Sequence, residues 1–194
     1  MWQKRLLADT AAVAWQNGHG LTRIIAEDRA HTPPEWRLSV ADILHDAPFS
    51  TFAGWKRLIA LIGPGTLILH EKAGAWFHTL ETCCKPYTFC GEDQVLSSCT
   101  NGAVQALNLM IRCPESVETN IEFVLHQTSF SIQSNEQEKK YYFLFPSTGG
   151  WTMQFKGTCS SVSRGSVWYC SSENMPDTTF IPKETGSSLY CIRI

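Results

Sequence analysis

Apolar residues along this chain come in short runs, broken every few positions by Gly, Pro, Asn or Ser. No stretch sustains the recurrence of an amphipathic helix, so the pattern predicts strands. They fall at WRLSVADI (36–43), KRLIALI (56–62), TLILHE (66–71), WFHTL (76–80), VQALNLMIR (104–112) and IEFVLHQ (121–127). Further strands follow at SFSIQ (129–133), YYFLF (141–145), WTMQF (151–155), SVWYC (166–170) and LYCIRI (189–194). GPG (63–65) predicts a hairpin turn, and STGG (147–150) predicts a second. NEQEKK (135–140) reads as a solvated, charged tip. Eleven or more short strands at close spacing predict an all-β sandwich or barrel. Each half of the chain holds about half of the strands. Two packed barrels are therefore allowed, although no internal sequence repeat is visible.

The faces of these strands separate by alternation. In WRLSVA, Trp36, Leu38 and Val40 share one face; Arg37, Ser39 and Ala41 share the other. In ALNLMIR, Ala106, Asn108, Met110 and Arg112 lie opposite Leu107, Leu109 and Ile111. A polar face in water is the plain reading. In a small barrel the polar side is instead the lumen, and both strands then line one cavity. RLIALIG (57–63) is apolar on both faces, which predicts a buried strand headed by Arg57. A buried guanidinium needs an ion-pair partner, such as Asp42 or Asp46, or a cavity that receives an anion. HDAPFSTFAGWKR (45–57), with Pro48 and Gly54, reads as a loop or irregular edge in which Ser50 and Phe52 alternate with Phe49 and Thr51 and which leads directly into Arg57. WQNGHGLTRI (15–24) packs Asn17, His19, Thr22 and Arg23 around Gly18 and Gly20, which predicts a tight polar bend.

Composition narrows the function. The chain has 194 residues, 43% hydrophobic and 18% charged, with a net charge of −2. That balance fits a folded domain and offers no basic excess to track a phosphate backbone, so nucleic acid is not the expected partner. Eight cysteines show no CxxC pair and sit mostly in apolar runs, so reduced thiols are expected. Lys4, Arg5 and LLADTAAVA imitate a secretion signal, but Asp9 and Thr10 interrupt the apolar run. No window is long enough to cross a membrane as a helix, and a cytoplasmic location is expected. The six histidines form no HxH, HxxxH or HExxH pattern, so neither a metal nor another cofactor is expected. GxSxG is absent, and Cys83–Cys84 lies in no nucleophile motif.

Five motifs, taken together, resemble the HutD/Ves family of bacterial proteins. They are WQNGHGLTRI (15–24), WRLSVADI (36–43), PFSTFAGWKRLIALIGPG (48–65), PYTFCGED (86–93) and LNLMIR (107–112). The resemblance covers roughly residues 13–113. It implies a cupin-type double β-barrel, or bicupin, that works without metal. Residues 1–112 would form an N-terminal barrel carrying the pocket, and 113–194 a second barrel packed with it as one globular unit. Carried over by position, the pocket residues are Asn17, Thr22, Arg23, Arg37, Ser39, Ser50, Phe52, Arg57, Asn108 and Arg112. This chain departs from the family pattern at Ala106, where an acidic residue is usual, at Ala53, usually Pro, and at Lys56, often acidic. Losing the acid at 106 removes a partner for a nearby arginine.

The resemblance implies a small anionic metabolite as partner. An N-formyl or N-formimino amino acid fits a sensor or governor of histidine catabolism, and a stress-associated role is the Ves side of the family. The alternative is an isomerase or hydrolase of the cupin superfamily acting on a small anionic substrate, with His19 as the acid–base group. A third reading is an interaction module, and a homodimer remains open.

Overall fold

The computed structural model describes residues 1–15, 17–100, 102–112, 121–133 and 140–194. Cys113 and most of the charged tip expected at 135–140 lie outside the described residues. The regular secondary structure of the described chain is almost all strand, every pairing is antiparallel, and no helix is long and apolar enough to cross a membrane. It divides into two compact units, Thr10–Glu118 and Met1–Asp9 with Thr119–Ile194. The first nine residues thus belong with the carboxy-terminal part of the chain, a division that the strand pattern does not announce.

Strand β1 (Gln3–Leu6) opens the chain. The Thr10–Glu118 unit then contains β2 (Val13–Ala14), β3 (Gly20–Glu27), β4 (Trp36–Ile43), β5 (Ala47–Pro48) and β6 (Trp55–Leu61). It continues with β7 (Thr66–Glu71), β8 (Phe77–Glu81), β9 (Tyr87–Cys90), β10 (Val95–Cys99) and β11 (Val104–Arg112). The other unit adds β12 (Glu122–His126), β13 (Phe130–Ile132), β14 (Tyr141–Thr148) and β15 (Gly150–Phe155). It ends with β16 (Thr158–Ser163), β17 (Ser166–Ser171), β18 (Thr178–Pro182) and β19 (Ser188–Arg193). All eleven expected strands are present. Eight more, including β3 and β9, lie in segments rich in small and polar residues whose alternation is faint.

The sheet orders reveal a repeat that the sequence hides. The first unit contains the orders β4-β11-β6-β9 and β5-β10-β7-β8; the second contains β12-β19-β14-β17 and β13-β18-β15-β16. Raising each label by eight converts one unit into the other. This is the cupin-type duplication. Among the described residues the two sheets of each unit are not joined by ladder hydrogen bonds, so each is an open, flattened form of a barrel.

The same topology corrects the two hairpins. β6 and β7 flank GPG but lie in different sheets, and so do β14 and β15 around Gly149. Both turns are corners that carry the chain from one sheet to the facing one. A glycine-rich link signals a reversal of direction and says nothing about whether the strands then pair.

Each unit has its own core. In the first, Ile43, Leu61, Val104 and Ala106 of the larger sheet meet Leu67, Leu69, Leu80 and Val95 of the smaller one. In the second, Tyr142, Leu144 and Cys191 meet Trp151, Met153, Val162 and Phe180. Trp2 joins this second core: its indole lies edge-on to Phe180 at 5.6 Å and donates to Thr178 Oγ1 at 2.8 Å. That anchor explains why β1 pairs with β17.

The loop between β5 and β6 carries Ser50 and Phe52 and is pinned by Gly91 in the turn after β9. The Phe52 N–H donates to the Gly91 carbonyl and the Gly91 N–H to the Trp55 carbonyl, each at 2.6 Å. A Cβ on Gly91 would lie 2.3 Å from the Phe52 carbonyl oxygen. Gly91→Ala must therefore break this clamp. The expected cost is about 1–3 kcal/mol in urea unfolding.

Candidate functional site

The inward face of the larger sheet in the first unit changes character along its length. At one end it is the apolar core already described. Toward the other end the same alternating positions become Arg37 and Ser39 on β4, Asn108 and Met110 on β11, and Arg57 on β6. The smaller sheet is short there, because β5 has only two residues. A cavity of about 600 Å³ opens in the gap, closed from the side by the Phe49–Phe52 loop.

Arg57 dominates the cavity. It is 7% exposed, and among the described residues no carboxylate lies within ion-pair distance of it. One guanidinium N–H donates to the Ser50 carbonyl at 3.2 Å, while the buried Nε has no partner. Three rings surround the charge, Phe89 at 4.9 Å, Phe49 at 5.0 Å and Phe52 at 5.7 Å. Such contacts contribute about 0.5–2 kcal/mol each and do not replace a counterion. Burial pulls the ionisation of Arg57 down to about 10, which still leaves it cationic at neutral pH. The two carboxylates weighed as partners are engaged elsewhere. Asp42 pairs with Arg23 and accepts from Gln105 Nε2 at 2.8 Å, and Asp46 accepts from the Cys99 N–H at 2.8 Å.

Other polar groups converge on the same space. Asn108 is buried with its amide oxygen unpaired. The Ser39 hydroxyl leans on the Asn108 carbonyl at 3.4 Å. Arg37 stands at the mouth, half-buried, and its Nε donates to Glu27 at 3.3 Å. Ala106 sits in the apolar part of the face, between Ala41 and Leu61, whereas Arg57 is opposite Met110. Position 106 is thus not beside Arg57 in the ladder.

The stretch WQNGHGLTRI is a turn followed by strand β3 rather than a bend throughout. Asn17 Oδ1 accepts from the His19 N–H at 3.0 Å, which closes the turn. Trp15 folds back over Gly20, where a Cβ would come within 2.9 Å of its ring. Its indole donates to Thr22 Oγ1 at 2.8 Å, and the ring meets Phe49 edge-on at 6.1 Å. This places Trp15, Asn17 and Thr22 in the cavity wall.

Eight of the ten expected residues line the cavity: Asn17, Thr22, Arg37, Ser39, Ser50, Phe52, Arg57 and Asn108. Arg23 does not, because adjacent strand residues face opposite sides and Thr22 takes the inner position; Arg23 pairs with Asp42 outside. Arg112 shares the parity of Asn108 but lies past the cavity, exposed, where its N–H donates to the Glu35 carbonyl at 2.7 Å. Trp15, Phe49 and Met110 line the cavity without having been singled out, and Phe89 and Gly91 support it from PYTFCGED. Strand alternation already places Met110 on the Asn108 face; for the others, membership of the quoted motifs is the signal.

The described lining offers no His, Cys, Asp or Glu side chain to a metal. The three groups that do cluster, Asp28, His31 and Glu35, occupy a separate loop whose Asp28 carboxylate already accepts from two backbone N–H groups. His19 lies outside the lining, and its Nδ1 donates to the Asp46 carbonyl at 2.7 Å.

The geometry can now be compared with known proteins. The chain is similar to Protein Ves of Citrobacter koseri, 37% identical over 100 residues, which is 50% of this chain and 51% of that protein. It is 33% identical over 118 residues to a 21.2 kDa protein from the region 3′ of hutC in Pseudomonas putida, 59% of this chain and 60% of that one. These alignments span between half and three fifths of the curated relatives' lengths. HutD from Pseudomonas fluorescens has the same fold, with a TM-score of 0.77 at 21% identity over 100% of this chain and 98% of that one. A nickel-bound bacterial pirin from Escherichia coli is a more distant fold match, with a TM-score of 0.61 at 10% identity, covering 100% of this chain and 99% of that one. The HutD family model matches residues 7–185, and the chain belongs to the HutD family.

Proposed function

We propose that the first cavity binds a small carboxylate metabolite, and that the protein acts as a cytoplasmic sensor of amino-acid catabolism rather than as an enzyme. The observation that carries this reading is Arg57, a buried cation with no carboxylate partner among the described residues. A ligand carboxylate in the cavity that Arg57 lines supplies the missing counterion. The free oxygen of Asn108 calls for a ligand N–H, which an N-formyl or N-formimino amino acid carries next to its carboxylate. The family supports histidine breakdown as the setting: one relative is named for its place beside hutC. An isomerase or hydrolase would need a proton-transfer group, and the described lining contains no His, Cys, Asp or Glu.

Calorimetric titration with N-formyl-L-glutamate, N-formimino-L-glutamate, urocanate and L-glutamate tests the proposal. At least one of the first two is expected to bind. Arg57→Ala should weaken it by about 2–5 kcal/mol, while Arg23→Ala leaves it unchanged. If none of the four binds, or Arg57→Ala binds as tightly as the wild type, the reading is wrong.

The depressed ionisation of Arg57 adds two expectations. Ligand affinity should be level from about pH 6 to 9, because a guanidinium pulled down to about 10 stays protonated throughout that range. Folding lowers this group's pKa, so its charge opposes folding at neutral pH. Arg57→Met should then leave the unliganded protein as stable as the wild type or more so in urea unfolding, while abolishing binding.

A further inference from the structure

The topological repeat sets the two units in register. In the first, the outermost cavity-facing row across β4, β11 and β6 is Arg37–Met110–Arg57, followed by Ser39–Asn108–Ile59. Across β12, β19 and β14 the corresponding rows are Glu122–Arg193–Tyr142 and Val124–Cys191–Leu144. A cavity of about 490 Å³ opens over them, flanked by Phe130 and Ile132 of β13. β13 is the strand that matches β5, whose Pro48 borders the first cavity.

We propose that this second cavity is a separate small-molecule site, selective for a zwitterionic amino acid with an apolar side chain. The row that offers two arginines in the first unit offers one acid and one base here. Glu122 and Arg193 face each other across adjacent strands as an ion pair. The Arg193 Nε is buried in the wall without a partner, as the Arg57 Nε is in the first cavity. An α-carboxylate fits the Arg193 guanidinium in the cavity wall, and an α-ammonium fits the half-exposed Glu122. A simple anion meets Glu122 as a like charge, and a simple cation meets Arg193.

Lys140 also lines the cavity, and beyond Glu122, Arg193 and Lys140 the described lining carries no Asp, Glu, Lys or Arg. His126 stacks on Phe130 with ring centroids 3.7 Å apart, and burial pushes its ionisation down, so it is neutral at physiological pH. Burial also pushes the Cys191 thiol up to about 12. Val124, Phe130 and Ile132 leave an apolar wall for the side chain.

Amide NMR spectra of the full chain test this proposal, with L-phenylalanine as probe. 3-Phenylpropionate, which lacks the ammonium, and 2-phenylethylamine, which lacks the carboxylate, are the comparisons. L-Phenylalanine should shift the amides of Val124, Cys191 and Arg193 saturably. The two analogues should bind at least ~tenfold more weakly, which is about 1.4 kcal/mol. Glu122→Gln should weaken L-phenylalanine by a similar factor while keeping the wild-type melting temperature. Arg57→Ala should leave L-phenylalanine binding intact, which separates this site from the first. No saturable shift up to about 20 mM, equal binding of 3-phenylpropionate, or unchanged binding by Glu122→Gln would each overturn the proposal.

Discussion

A guanidinium buried without a counterion is costly, and the first unit is arranged around one. Arg57 heads a strand that is otherwise apolar, so the backbone ladder fixes it where water cannot solvate it fully. Its surroundings follow from that constraint. Three phenylalanine rings take up part of the charge, one backbone carbonyl takes a hydrogen bond, and no carboxylate of the described residues completes the pairing. The short β5 keeps the smaller sheet from filling that space. The Gly91 clamp holds the covering loop, and the Trp15–Thr22–Phe49 contacts hold the opposite wall. Stability is spent on an uncompensated charge, which makes sense where a ligand completes it.

The duplicated topology shows how one framework supports different chemistry. Both units place the same rows of inward residues at the open end of a sandwich. In one, the row is Arg–Met–Arg; in the other, Glu–Arg–Tyr. The hydrogen-bond ladder sets where side chains project, and sequence then decides what they recognise. Divergence between the rows is large enough that no repeat is visible in the sequence, although the order of eight strands is duplicated.

Much of this was legible before any coordinates. WRLSVADI and VQALNLMIR were read with their observed boundaries, because period-two alternation beside a buried face is a strong signal. Their polar inner faces gave Arg37, Ser39 and Asn108, and the apolar run after Arg57 gave its burial. What escaped the sequence has physical causes. Strands such as β5 and β9 are too short to show periodicity. The corners at Gly65 and Gly149 carry the composition of hairpins but join facing sheets. Arg23 and Arg112 belong to the right motifs, yet parity turns one outward and distance along the strand removes the other. The aromatic collar around Arg57 joins two rings of the adjoining loop, Phe49 and Phe52, to Phe89 of β9, and only the fold brings the third to the others.

The central claim is that Arg57 is completed by a ligand carboxylate. A crystal structure of the protein grown with N-formyl-L-glutamate tests it most directly. The account expects a carboxylate oxygen within about 3 Å of the Arg57 guanidinium and the formamide N–H facing Asn108. A cavity in which Arg57 has instead turned to pair with a carboxylate of the protein itself, with the ligand bound elsewhere or not at all, would contradict it.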